Sequence, residues 1–348
     1  MLGGPQIMNF RRFLLIACLC LIPSFGNAVT PMVAAGYRQT IALKNNGTLV
    51  AVGNDSAGQL GLGRVVLSST PQEISALSQV RTVEAGIDHI LALRQDGTVW
   101  AWGSNRDGQL GDGTTITYAY GYVIAPDGFG IPTGSRDVPT PAPVQGLTGV
   151  VAIAAGHRHS IARKQDGTVW AWGANYSGEL GHCTTTTIQS TPAPVPGLGR
   201  VVAIAAGNSY TLALKQDGTV WAWGDNSSGQ LGDGTTTNSC TPVPALGLNG
   251  VVAIAAGSLH GVALKQDGTV WAWGFNRNGQ LGDGTTTDRR APVRVSGVSG
   301  VAAIAAGGFT SLAIKNDGGL WLGELTSGVR LEMAPPSSSV ASPPKSPN

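Results

Sequence analysis

The stretch VVAIAAGSLHGVALKQDGTVWAWGFNRNGQLGDGTTTDRRAPVRV, residues 251–295, decides the fold. It opens with VVAIAAG (251–257), a short apolar run that ends in small residues. Small side chains suit a strand packed where several sheets crowd around an axis. VALKQ (262–266) and TVWAW (269–273) alternate and are joined by Asp267-Gly268. A two-residue Asp-Gly between such runs signals a hairpin, with a type I′ turn that needs φ > 0 at both positions. The Gly-rich NRNGQLGDG (276–284) then reverses the chain. APVRV (291–295) reads as a fourth strand, and its proline suits an outer edge, where a missing N–H costs little.

The pattern recurs. The glycine that closes each apolar run falls at Gly36, Gly86, Gly156, Gly207, Gly257 and Gly307, at spacings of 50, 70, 51, 50 and 50 residues. The hairpin signal returns at Asn46-Gly47, Asp96-Gly97, Asp166-Gly167, Asp217-Gly218 and Asp317-Gly318. Tandem copies of a four-strand unit imply blades around an axis. The expected fold is all-β: a β-propeller of four-stranded antiparallel blades, six in number, with seven as the alternative count. A solenoid is the rival architecture, disfavoured because its coils are shorter and it needs caps. The copies span about 31–82, 83–150, 151–201, 202–251, 252–301 and 302–333. The last is incomplete: it lacks the NxxGQLG loop and the Pro-Val strand, and Val329–Met333 is the candidate for its missing edge. The first copy is degenerate at Leu49-Val50-Ala51-Val52.

The ends read differently. Arg11 and Arg12 precede an apolar run, Phe13–Leu21, then Pro23 and small residues up to Ala28. That is the order of a secretory signal peptide, expected over 1–28 with cleavage near Ala28. Leu15-Ile16-Ala17-Cys18 offers a lipoprotein signal as the lesser alternative. Residues 334–348 form a Pro/Ser-rich tail, expected to be disordered. No other segment is long and apolar enough to span a bilayer as a helix. The expected location is therefore secreted or periplasmic. Loss of 1–28 leaves 20 basic against 20 acidic residues, without the basic footprint that binding nucleic acid requires. Cys183 and Cys240 remain in an oxidising compartment, in the same loop of neighbouring copies, and are a candidate disulfide.

GSLHGVALKQDGTVWAWGFNRNGQLGDG (257–284) resembles the repeat of the regulator of chromosome condensation family, and the likeness covers roughly 31–323. It implies a propeller, usually seven-bladed. Members include a nuclear exchange factor for a small GTPase, a plant UV-B photoreceptor and a secreted bacterial β-lactamase inhibitor. The photoreceptor's light-sensing tryptophans follow the glycine of Gly-x-x-His. Here those positions hold Tyr37, Ile87, His157, Asn208, Ser258 and Gly308, so light sensing is not expected. The neutral chain and its leader argue against the nuclear role.

The shared residues explain structure better than chemistry. His89, His159 and His260 sit in the repeat's own Gly-x-x-His. Trp100/Trp102, Trp170/Trp172, Trp221/Trp223 and Trp271/Trp273 lie two apart on one strand face and are expected to fill the space between blades. His157 and His159, with His182 and Cys183, offer zinc-ligand chemistry but lack a recognised ligand spacing. The Asp-Gly-Thr-Thr segments lack the alternating acids of a calcium loop and read as turns. There is no nucleophile elbow or phosphate loop, so neither an enzyme nor a cofactor is expected.

The largest irregularity is the 20-residue excess of the second copy, within Thr114–Pro139. It carries Tyr118, Tyr120, Tyr122 and Phe129 among glycines, a composition suited to contact surfaces. With His157 and Arg158 these are the candidate partner-binding residues. The expected function is a non-catalytic scaffold for an unidentified protein partner. The alternatives are a guanine-nucleotide exchange regulator, as the resemblance would imply, and an envelope or extracellular hydrolase with its site at the axis.

Overall fold

A computed structural model of the 348-residue chain describes residues 29–65, 67–115, 122–124, 130–132 and 137–323. Blade 1 contains β1 (Met32–Ala35), β2 (Gln39–Leu43), β3 (Leu49–Gly53) and β4 (Ser68–Glu73). Blade 2 contains β5 (Val80–Ala85), β6 (His89–Arg94) and β7 (Val99–Gly103). After a separate small hairpin, β8 (Tyr122–Ile124) with β9 (Gly130–Pro132), it is completed by β10 (Val138–Pro143). Blade 3 is β11 (Val150–Ala155), β12 (His159–Lys164), β13 (Val169–Ala174) and β14 (Ile188–Pro194). Blade 4 is β15 (Val201–Ala206), β16 (Tyr210–Lys215), β17 (Val220–Gly224) and β18 (Ser239–Pro244). Blade 5 is β19 (Val251–Ala256), β20 (His260–Lys265), β21 (Val270–Gly274) and β22 (Arg289–Arg294). Blade 6 has three described strands, β23 (Val301–Gly307), β24 (Thr310–Lys315) and β25 (Leu320–Gly323). Every blade is an antiparallel meander running outward from the axis. The fold is a six-blade propeller. The leader, the tail and Val329–Met333 lie outside the described residues.

The hairpin turns differ from the expected type I′. Among the described residues, only Gln79 and Arg200 combine a side chain with φ > 0. Asp267 therefore sits at negative φ, and Gly268 alone is left-handed, at +76°. Gly268 N donates to Lys265 O at 2.9 Å, and Lys265 N to Thr269 O at 2.9 Å. This is a type I turn followed by a left-handed glycine, the three-residue hairpin loop. The aspartate recurs because its Oδ1 accepts from Thr269 N at 3.0 Å and from the Thr269 hydroxyl at 2.6 Å, an Asx turn.

Five hydrophobic cores form among the described residues, each between one blade and the next. The second tryptophan of each pair belongs to one blade but is buried in the core of the blade before it. Trp223 of blade 4 packs among Ile161, Val169, Leu180 and Val195 of blade 3. Its indole Nε1 donates to Glu179 O at 2.9 Å. Trp102, Trp172 and Trp273 donate likewise to the carbonyls of Gln59, Gln109 and Gln230, at 2.9 to 3.0 Å. The ring presses on the second glycine of the GQLG or GELG loop, so that any side chain at Gly181 would strike it. The first tryptophan of each pair is half-buried beside the same interface, with a Lys or Arg over its ring.

Histidines make the second tie. His89 Nε2 meets Ser160 Oγ at 3.0 Å, His159 Nε2 meets Thr211 Oγ1 at 3.1 Å, and His260 Nε2 meets Ser311 Oγ at 3.0 Å. Ser160 gives its own proton to Gln109 O at 2.8 Å, so His89 must be the donor from Nε2. Its Nδ1 is unprotonated and packs against Gly86. Gln39 fills the histidine position in blade 1 and donates to Gly86 O and Ile87 O of blade 2. Cys183, in the outer loop of blade 3, is disulfide-bonded to Cys240 on β18 of blade 4, with Cα atoms 5.0 Å apart.

Candidate functional site

The inner strands of all six blades line one axial cavity of about 570 Å³, walled mainly by alanine and isoleucine. Each inner strand ends at its glycine, and the next residues form a rim: Tyr37, Ile87, His157, Asn208, Ser258 and Gly308. Backbone bonds knit part of this rim across blades. Asn208 N donates to Ser258 O at 3.1 Å, and Ser258 N to Gly308 O at 2.8 Å. His157 lies in this bend, two residues before β12 at His159. The two histidines therefore do not share a strand face. His159 is committed to Thr211 and Cys183 to Cys240, so these residues do not converge as zinc ligands. No group of three or more His, Cys, Asp or Glu suited to a metal occurs among the described residues.

The rim is chemically uneven. Blades 1 to 3 contribute Arg38, Asp88, Arg106 and Arg158, the three arginines exposed. Burial raises the Asp88 carboxyl above its usual range, and the three guanidiniums pull it back. A half-buried carboxylate thus sits among three cations from three different blades. Beside it Asp107 Oδ1 accepts the Tyr176 hydroxyl at 2.7 Å, and its Oδ2 lies 3.6 Å from Arg158. The arginine side chain of that pair is 53% exposed and the aspartate 6%, so the aspartate anchors the arginine from below. His157 is lowered to about 4, first by burial and then by Arg158, with Asp107 opposing. It is neutral at physiological pH.

Exposed aromatics share this end of the molecule. Tyr37 is 41% exposed beneath Arg38, and Tyr176 is 59% exposed. Across the rim Phe309, 46% exposed, lies 5.5 Å from Phe275 between ring centroids. Arg277 stands over Phe275. Arginine and aromatic residues presented together on rigid loops are the composition of protein contact surfaces. The turn aspartates are already engaged: Asp283 Oδ1 accepts from the backbone and hydroxyl of Thr285 and from Asn276.

Of the sequence-predicted residues, the structure brings His157 and Arg158 onto this rim. Tyr118, Tyr120 and Phe129 lie outside the described residues. Tyr122 is placed on β8, with no described side chain. The flanks of the insertion leave the blade at the rim end: β7 closes at Gly103, and β10 re-enters with Val138 paired to Gly103. Sequence reasoning missed Arg38, Asp88, Arg106, Tyr176 and Phe309. The available signal was divergence: they sit at Gly-x-x-His and NxxGQLG positions that vary between copies.

Comparison with known proteins fits this architecture. The RCC1-like domain family matches residues 22–313. Human HERC6, described as a probable E3 ubiquitin-protein ligase, is 34% identical over 218 residues, covering 61% of this chain and 20% of that protein. The chain thus spans a fifth of that relative's length. Human WBSCR16 superposes with a TM-score of 0.68 at 26% identity, over 79% of this chain and 69% of that one. Yeast RCC1 (Prp20), solved with Kap60, superposes with a TM-score of 0.68 at 23% identity, over 84% and 69%. With its repeat, its blade topology and a family match over most of its length, the chain belongs to the RCC1-like domain family.

Proposed function

We propose that this propeller is a non-catalytic scaffold that captures another protein on its rim face, in a secreted or periplasmic setting. The observation that carries the reading is the cluster of Arg38, Arg106 and Arg158 with Tyr37 and Tyr176. It is exposed on rigid turns and fixed from below by Asp107. The insertion leaves its blade beside this cluster and would extend the contact area. Compartment is supported by the Cys183–Cys240 bond, since such bonds persist where the environment is oxidising, and by the leader pattern of residues 1–28. Yeast RCC1 was solved bound to Kap60, but at 23% identity that likeness bears on the fold alone. An exchange activity would rest on the family resemblance.

The test is affinity capture from the native envelope or culture medium with the mature chain as bait, in three forms. Wild type should retain a defined partner. Arg158→Glu with Tyr176→Ala should lose it by tenfold or more, about 1.4 kcal/mol per decade. Deleting 118–137 should weaken it with the fold intact. Equal capture by all three would refute the rim.

A further inference from the structure

Two arginines depart from the repeat at a cost to the fold, and both lie at the foot of the blade 3–blade 4 junction, the end opposite the rim. β12 pairs Arg163 with Ala152. Leu93, Leu214 and Leu264 hold the same register in the other internal blades. Each is a core residue, 0 to 4% exposed. Arg163 therefore puts a guanidinium where the repeat puts a leucine. It is half-buried, and its Nε is enclosed with no hydrogen-bond partner among the described residues. Its Nη1 reaches Val201 O only at 3.5 Å, the outer limit for such a bond. Burial, and then the nearby charge of Arg81 on blade 2, push the guanidinium below its usual range. An enclosed cation beside a second cation is unfavourable unless an anion compensates it.

Arg200 directly precedes Val201 and has a φ of +57°. Gly149, Gly250 and Gly300 take this position in blades 3, 5 and 6, at +62° to +69°. A side chain in that region is strained. Gln79 shares the conformation in blade 2 and puts its side chain to use: its Oε1 accepts from Arg94 Nη2 at 3.0 Å. The Arg200 side chain has no such tie among the described residues. It is exposed and borders a cavity of about 620 Å³ lined by Gly199, Lys215, Gln216 and Asp217. Arg81, also exposed, stands where blades 3, 4 and 5 have Val151, Val202 and Val252. None of the three arginines has an ion-pair partner among the described residues. The turn cations Arg94, Lys215 and Lys315 each pair with the aspartate of their own hairpin.

We propose that Arg81, Arg163 and Arg200 form a binding site for a phosphoryl group at the foot of blades 2 to 4. A guanidinium presents its donors in a rigid fork that matches phosphate oxygens. Three positive charges suit a dianion better than a single carboxylate. Arg163 supplies the strongest contact, because little water screens it, and Arg81 and Arg200 close on the anion from the solvent side. The adjoining cavity leaves room for the rest of a phosphomonoester. The misplaced guanidinium and the strained backbone then have one explanation, stability given up for a site. The site is independent of the capture proposed for the rim.

Calorimetric titration of the chain with inorganic phosphate, against chloride at equal ionic strength, tests the site. A Kd of about 1 mM or tighter is expected, with a rise in Tm that phosphate gives and chloride does not. Glycerol 3-phosphate separates the sources: tighter binding than phosphate means a carried phosphoryl group, weaker binding the free ion. Each variant imports a residue that the repeat already carries at that place. Arg163→Leu should raise the Tm in chloride and weaken phosphate binding at least about tenfold, the loss of a charged hydrogen bond. Arg200→Gly should also raise the Tm in chloride, and weaken phosphate binding by less because that side chain is exposed. Arg158→Glu on the rim should leave phosphate binding unchanged, and Arg163→Leu should leave partner capture unchanged, so the two proposals fail separately. Two results would each overturn the site. One is phosphate that gives neither heat nor a Tm rise beyond chloride. The other is an Arg163→Leu chain that binds phosphate as the wild type does, which makes Arg163 a packing fault alone.

Discussion

Blades 2 to 5 and blades 1 and 6 are built from one repeat, yet they keep different letters of it. The internal blades hold both tryptophans, and the second is fully buried in every case. Blade 1 has Val50 and Val52 instead. In blade 6 a single Trp321 leans over Gly282 of blade 5, and Gly323 takes the second tryptophan's place. The Gly-x-x-His position shows the same split: histidine or tyrosine inside, glutamine in blade 1 and threonine in blade 6. The difference teaches that these residues serve the adjoining blade more than their own. The letter is lost at the positions that face the junction of blades 6 and 1, Val52 and Thr310, while Gln39 and Gly323 depart from it at interfaces that are built.

The strongest way to break that comparison is to truncate a tryptophan on each side of it. Trp223→Ala removes a fully buried ring and its bond to Glu179 from the core of blade 3. A loss of about 3–5 kcal/mol is expected. Val52→Ala, at the matching position of blade 1, should cost under about 1 kcal/mol because its wall is partly open. Urea denaturation of the two variants reads both numbers. Equal losses would mean that the blade 1 wall is packed after all.

The disulfide sharpens the comparison for the middle of the ring. Cys183 and Cys240 are 57 residues apart and clamp blade 3 to blade 4, a tie with no counterpart among the described residues of the other blades. Chain-entropy reasoning sets its contribution at about 4 kcal/mol as an upper figure, and measured values commonly fall to about 2. Cys183→Ser with Cys240→Ser should lower the thermal midpoint accordingly, and reductant should reproduce the loss in the wild type. A variant as stable as the parent would show that the blade 3–blade 4 core suffices.

The repeat's spacing exposed blades, hairpins and the packing role of the tryptophans, because a four-strand unit writes the same residues at each turn of the ring. The turn type stayed hidden: Asp-Gly fits both type I′ and a type I turn with a left-handed glycine, and the sign of φ at Asp267 separates them. The rim was half legible. His157 and Arg158 adjoin in sequence, whereas Arg38, Asp88 and Arg106 come from three loops that only the ring brings together. Copy number was countable, but whether six blades close depends on the angle each core imposes, which no residue pattern states.

The smallest effect expected is a pH dependence confined to the internal blades. Burial lowers His89 and His159 to about 3 and His260 to about 4. A buried imidazole that donates from Nε2 and packs its Nδ1 on glycine has no room for a second proton. The unfolded chain takes up those protons below pH 6.5, and the folded chain does not until the pH nears 3 to 4. Stability is therefore complete above about pH 6.5 and falls as pH drops, by about 1.4 kcal/mol per pH unit for each fully protonating histidine. His89→Gln imports the group that blade 1 already uses at this position. It should cost about 1 kcal/mol at pH 7, yet be less sensitive to acid by one proton, so that the gap to wild type narrows towards pH 5. Denaturation midpoints at pH 7, 6 and 5 give the slope directly. A slope unchanged by His89→Gln would mean that this histidine is protonated in the folded ring, which its bond to Ser160 does not allow.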